Sequence, residues 1–160
     1  MSLTEHPEPA HELPNRYAGR YLRTILGAVE GPDDEVRPGH VAERLDVSPA
    51  SVTEMTNHLA DDGYVEHEPY GGISLTPLGA SMARHLQWRQ CVFTQFFEDT
   101  LSVQMPPAAS YEASFALPAD VLDEAREYVG LECRGQCDDR VWEYECWEDT
   151  DDPVGTAASG

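Results

Sequence analysis

This sequence contains no lysine. Its ten basic side chains, histidine aside, are all arginines, and they face 30 aspartates and glutamates, for a formal charge of −20 over 160 residues. Acid excess with lysine depleted points to a cytosol full of salt, where surface carboxylates stay hydrated and their repulsion is screened within a few ångströms. That is the composition expected of an extreme halophile; an ordinary acidic protein usually keeps some lysine. Long apolar runs are missing too. No stretch of about 18 apolar residues could cross a membrane. The opening "MSLTEHPEPAHELP" lacks the basic-then-apolar order of a signal peptide. A cytoplasmic location with no membrane partner is therefore expected. In that compartment four cysteines are expected to be free, metal-bound or redox-active rather than paired in structural disulfides. Paired carboxylates, a nucleophile–base motif and a glycine-rich phosphate loop are also absent, which argues against an enzyme. There are no internal repeats.

What is present is a modest hydrophobic content, 41%, enough for one or two small domains. From Asn15, Tyr17, Tyr21, Leu22, Ile25, Leu26 and Val29 fall on one helical face. Gly31-Pro32 breaks the pattern. A short helix follows in "HVAERLD", with Val41, Ala42 and Leu45 inward. In "VSPASVTEMTNHLADDGYV", Ser48 is a good N-cap and Pro49 fits the first helical position, where its missing N–H costs nothing. Val52, Met55, Leu59 and Ala60 supply the inward face there, and Asp62-Gly63 ends the helix. "YVEHEPYGGISLT" reads as a two-stranded hairpin with Pro69 to Gly72 at its tip. Thr76-Pro77 is another cap-plus-proline start, and a long helix should run from it to about Leu101. "SVQMPPAAS" reads as a linker, and Pro118 opens a last helix over 119–129. The expected organisation is a disordered tail over 1–13, a unit of three helices and a hairpin over 14–76 and a helical dimerisation region over 77–130. Residues 131–160 form an acidic, cysteine-containing segment with a disordered end.

Helix, short helix, turn, helix and hairpin, in that order, make a winged helix-turn-helix followed by a helical region. The fold class is mainly α with a small β-hairpin. In such folds the second helix of the turn enters the major groove of double-stranded DNA. Its outward residues here are Ser51, Thr53, Thr56 and Asn57, short and neutral in a very acidic chain. Carboxylates on that face would repel phosphates, whereas hydroxyl and amide groups bond to bases or phosphates in either polarity. Ser48 and Pro49 shape the helix entry. Glu54 could accept from a cytosine amino group, and His58 lies further along the helix. Tyr70 sits at the wing tip. Arg16, Arg20, Arg23, Arg37 and Arg44 gather positive charge in this half, and phosphate contact needs cations. The expected DNA contacts are Arg37, Ser48, Pro49, Ser51, Thr53, Glu54, Asn57 and Tyr70. The bland alternative is a protein-interaction module with a solvated helix face.

"YLRTI" at 21–25, "VAERLDVSPASVTEM" at 41–55 and "LADDGYVEHEPYGGISLTPLG" at 59–79 resemble the DtxR-type metal-dependent repressors. The resemblance covers roughly residues 15–102, and more faintly to about 129. It implies a dimeric winged-helix repressor activated by iron or manganese. Taken position by position, it also implies metal ligands where this chain has Arg20, Arg23, Gln90, Thr94, Ser114, Leu117 and Pro118. Glu112-Ala113 begins the family's next ligand segment, but the ligands themselves are replaced. A different set is available in "CRGQCDDRVWEYEC". Cys133, Cys137 and Cys146, joined by Cys91 on the long helix, could hold iron, manganese, zinc or an iron–sulfur cluster, or act as a thiol switch. Ordinary cysteines in an apolar patch with Trp142, Tyr144 and Trp147 are the alternative.

Overall fold

The computed structural model describes residues 13–29 and 34–130. Helix α1 covers Arg16–Ala28, α2 Pro38–Leu45 and α3 Pro49–Asp61. Strands β1, Val65–His67, and β2, Ile73–Leu75, follow, and then the helices α4, Pro77–Leu101, α5, Pro107–Ala116, and α6, Ala119–Val129. The expected fold class is the one observed: three helices, a wing and a helical region.

Local chemistry sets most of the helix starts. Asn15 caps α1 by accepting from the Ala18 N–H, and Ser48 caps α3 by accepting from the Ser51 N–H. Proline occupies the first turn of α2, α3, α4 and α5. Thr76 has two roles. Its hydroxyl accepts from the Gly79 N–H at 3.0 Å and donates to the Gly63 carbonyl at 2.6 Å. Its own N–H bonds the Tyr64 carbonyl at 3.0 Å. The end of α3, the wing and the start of α4 are thereby tied together. Gly79 sits in the crowded part of this knot, where an added Cβ would stand 1.9 Å from the Tyr64 carbonyl oxygen.

The wing is antiparallel, with Val65 opposite Leu75 and His67 opposite Ile73. Val36 adds a bridge to Ile73 on the other side, joined by reciprocal 2.8 Å bonds. One core holds Leu22, Ile25 and Leu26 of α1, Val41 of α2, Val52 and Leu59 of α3, Ile73 of the wing and Met82 and Leu86 of α4. A second, smaller cluster joins Trp88 and Val92 of α4 to Leu122 of α6. Helix α4 thus belongs to both clusters.

Three expectations need correction. Tyr17 is 56% exposed and takes no part in the α1 core face. Thr56 is buried at 4%, because 100° per residue places it between Val52 and Leu59 on the inward side of α3. The segment read as a linker contains the start of a helix, α5. Ser102, in the left-handed region at φ 55°, ends α4, and the chain re-enters a helix at Pro107.

Candidate nucleic-acid interface and the cleft behind it

On α3 the inward residues are Val52, Met55, Thr56 and Leu59, so Thr53, Glu54 and Asn57 point away from the core, with Ser51 at the edge nearer α1. All four are exposed. Their hydroxyls and amide are held by local bonds. Ser51 Oγ lies 2.9 Å from Ser48 Oγ, and Thr53 Oγ1 donates to the Pro49 carbonyl at 3.2 Å. Asn57 Oδ1 is 3.0 Å from Nε2 of His67 on β1. That bond joins the middle of α3 to the wing, so the two surfaces are fixed relative to each other. Pro49 is exposed at the helix entry. Ser51, Glu54 and His58 also border a groove against Asn15 and Tyr21 of α1.

Tyr70 stands at the wing tip, fully exposed and with φ at 63°. Left-handed backbone is uncommon outside glycine, asparagine and aspartate. Arg37 is exposed at the N-cap of α2, one residue from the Val36 bridge to the wing. Helix α3, the wing and Arg37 therefore share one side of the fold through the Asn57–His67 bond and the Val36–Ile73 bridge.

The positions that the resemblance assigns to metal lie behind this surface. Arg23 of α1 and Gln90 of α4, 67 residues apart in sequence, meet directly: an Arg23 Nη1 donates to Gln90 Oε1. Gln90 Nε2 in turn donates to the Pro107 carbonyl at 3.0 Å. The positions of α5 that face this pair are not Ser114, Leu117 and Pro118. They are Ala108, Tyr111 and Glu112, six residues earlier and at the same spacing of three and four. Ser114 is buried elsewhere, and the Ser114, Phe115 and Leu117 carbonyls accept from the buried Arg89 of α4. A cation at a helix C-terminus satisfies carbonyls that the helix leaves open. Arg89 thus fixes how α5 presents Tyr111 and Glu112, a role with no signature in the sequence.

Together Arg20, Arg23, Arg44, Gln90, Tyr111 and Glu112 border a cleft of about 330 Å³. Burial pushes the Tyr111 phenol up to about 12 against the opposing influence of Arg23, and its hydroxyl donates to the Arg16 carbonyl at 2.7 Å. It is a neutral donor here, not a phenolate ligand. Glu112 is the one carboxylate among these residues, and it is 3.6 Å from Arg16 Nε. Three guanidiniums and one carboxylate do not fit a divalent cation. Among the described residues no group of three histidine, cysteine, aspartate or glutamate side chains could hold a metal ion. Cys91 is half-buried on α4 and carries a free thiol. Cys133, Cys137 and Cys146 lie outside the described residues, as do Trp142, Tyr144 and Trp147.

The elements and their contacts define a winged helix-turn-helix domain. Residues 16–73 match the family described as iron dependent repressor, N-terminal DNA binding domain. The HTH-type transcriptional regulator MntR of Lysinibacillus sphaericus is 42% identical over 60 residues, which cover 38% of this chain and 43% of the relative. The regulator of the same name from Oceanobacillus iheyensis is 35% identical over 78 residues, covering 49% of this chain and 52% of the relative. Among solved structures, a manganese-dependent transcriptional repressor in complex with manganese aligns with a TM-score of 0.63 and 25% identity, over 72% of this chain and 53% of that one. A hypothetical protein from Sulfolobus solfataricus, 23% identical with a TM-score of 0.52, shares the fold over 74% of this chain and 90% of its own length. Residues 16–73 thus resemble the N-terminal DNA-binding domain of the iron-dependent repressors. The chain spans about half the length of the curated relatives it matches.

Proposed function

We propose that this chain is a DNA-binding transcriptional regulator that reads operator DNA as a homodimer. Helix α3 lies in the major groove, with the wing and Arg37 against the flanking phosphates. One observation supports this most directly: the outward face of α3 is built from Ser51, Thr53 and Asn57, and Asn57 ties it to the wing through His67. Hydroxyl and amide groups there can meet base edges in either polarity, and Glu54 can accept from a cytosine amino group. Ser48 and Pro49 set the entry angle of the helix, Arg37 neutralises phosphate, and Tyr70 carries the wing tip to the backbone. The protein acts in the cytoplasm, and no helix among the described residues is long and apolar enough to cross a membrane.

The dimer forms through α4. Phe93, Phe96 and Phe97 form a chain of ring contacts along its second half, and Leu101 beyond them is 55% exposed. Helix α6 covers part of this surface, with Tyr128 6.0 Å from Phe96. The rest is available to a second copy.

One solved neighbour is a manganese-dependent repressor in complex with manganese, and the matched family is described as iron dependent. In this chain the corresponding cleft holds Arg20, Arg23 and Gln90, side chains that do not suit an activating cation. Selecting bound fragments from random duplex DNA, followed by a mobility-shift assay in molar salt, tests the reading. Enrichment of one two-fold-symmetric motif is the expected result. Protein that is folded and dimeric yet enriches no sequence would instead make α3 a surface for another protein.

A further inference from the structure

The cleft between the winged helix-turn-helix, the reading head of the proposal above, and the long helix α4 is the wrong sign for a cation and the right sign for an anion. Arg20 and Arg23 project from α1 three residues apart, hence on one face. Arg44 joins them from the last turn of α2. Three positive groups meet one negative group, Glu112, in a chain whose net charge is −20. Among the described residues neither Arg20 nor Arg44 has an ion-pair partner. The floor is preorganised. Arg23 is oriented by Gln90, which is itself anchored to the Pro107 carbonyl, and its guanidinium lies 5.4 Å over the Tyr111 ring. Gln90 and the Tyr111 ring thus hold the Arg23 guanidinium in place as a fixed positive charge in the wall, and planar guanidinium groups suit carboxylate and phosphate oxygens. A volume of about 330 Å³ is at the small end of ligand sites.

We propose that this cleft binds a small metabolite bearing a carboxylate or phosphate group, seated between Arg20, Arg23 and Arg44. Such a ligand would touch α1 and α2 of the reading head and also α4 and α5 behind it. Its occupancy would fix the angle between the two parts, the geometry on which half-site spacing depends. That last consequence rests on the DNA-binding reading above; the binding itself does not.

The test is calorimetric titration of the full chain, without DNA, at constant ionic strength. Sodium phosphate, sodium succinate and manganese chloride are the separate titrants. Phosphate or succinate should bind saturably at one per chain, and whichever binds more tightly identifies the source of the oxyanion. Arg20→Gln and Arg44→Gln should each weaken that binding by about tenfold, the value of one charge-assisted contact. Both side chains are exposed, so the circular dichroism spectrum should not change. Three results would overturn the proposal. One is no saturable heat from either anion up to roughly 10 mM, well beyond millimolar affinity. Another is anion binding undiminished in both variants. The third is one-to-one manganese binding that Glu112→Gln abolishes. Because DNA is absent from the assay, a failure here leaves operator binding untouched, and a failure of operator binding leaves this result standing.

Discussion

Replacing Ser51 and Thr53 by aspartate should move stability and DNA affinity in opposite directions. Ser48 is the N-cap of α3, so Ser51 is the third helical residue. No acidic residue occupies the first turn of this helix. An aspartate at position 51 would meet the positive end of the helix dipole, a favourable contact of about 0.3–1 kcal/mol. It would forfeit the Ser51–Ser48 hydroxyl contact, which is exposed and contributes little. At Thr53 the lost bond runs to the Pro49 carbonyl, also at the surface. The melting temperature should therefore hold or rise by a degree or two. DNA affinity should fall steeply. Each base or phosphate contact is worth roughly 1–3 kcal/mol, and two new carboxylates face a phosphate backbone. A loss of about a hundredfold to ten-thousandfold is expected for the pair. The assay is a fluorescence-anisotropy titration on the DNA motif selected by the wild type, with circular dichroism melts run alongside. A well-folded double variant that binds within threefold of wild type would remove α3 from the DNA interface.

Gly79→Ala should destabilise the fold by about 3 kcal/mol or more, since its Cβ would meet the Tyr64 carbonyl at 1.9 Å and backbone on both sides must shift; a thermal melt unchanged to within two degrees would contradict the packing at the α4 entry. Tyr111 gives a pH signature: burial raises its phenol to about 12, above the usual value of 10.0, so the folded state favours the protonated form. Its contribution is complete below pH 10 and is lost as pH rises toward 12. Tyr111→Phe should therefore be less stable than wild type at pH 8, by about 1 kcal/mol for the lost bond to the Arg16 carbonyl. The gap should narrow as denaturation curves are taken from pH 10 to 12, and a constant gap would argue against a buried phenol. Phe96→Asp should give monomers in light scattering and weaken operator binding, because its ring sits among Phe97 and Tyr128 on the surface assigned to the dimer; a wild type that is itself monomeric in molar salt would refute that assignment.

The reading head was legible in the sequence because its signals are local and repeat one another. Ser48-Pro49 and Thr76-Pro77 each combine a side-chain cap with a proline in the first turn, and both helices begin where those pairs place them. The hairpin is flagged by glycines at its tip and apolar residues facing inward. Thr56 was misplaced by its chemistry: a hydroxyl suggests the surface, but the helical period puts it beside Val52 and Leu59, and the period decided. Helix α5 leaves little trace in the sequence for the complementary reason. "PPAASYEASFA" opens on two prolines and small residues and has no strong apolar stripe. It is held by tertiary contacts instead, Arg89 on its last carbonyls and Tyr111 reaching to the Arg16 carbonyl.

Helix α5 also forms the third wall of the cleft, so the cleft has no complete signature in the sequence. The resemblance puts Arg23 of α1 and Gln90 of α4 at positions expected to bind metal, and the two are in contact. Without α5, the resemblance puts the third wall at Ser114, Leu117 and Pro118, where no chemistry remains. Moved six residues back, the wall is Ala108, Tyr111 and Glu112, and one carboxylate returns. A single carboxylate could have suggested a weakened cation site. The balance is decided by Arg44, which comes from α2 and has no sequence relation to the other walls. Two arginines on α1 could be turned outward and paired with solvent. A third, converging from another helix on the same 330 Å³ while Gln90 holds Arg23 in place, concentrates positive charge that a divalent ion would have to overcome. An oxyanion would meet that charge as attraction. The side chains that make the site unsuitable for a cation are the same ones that give it a use.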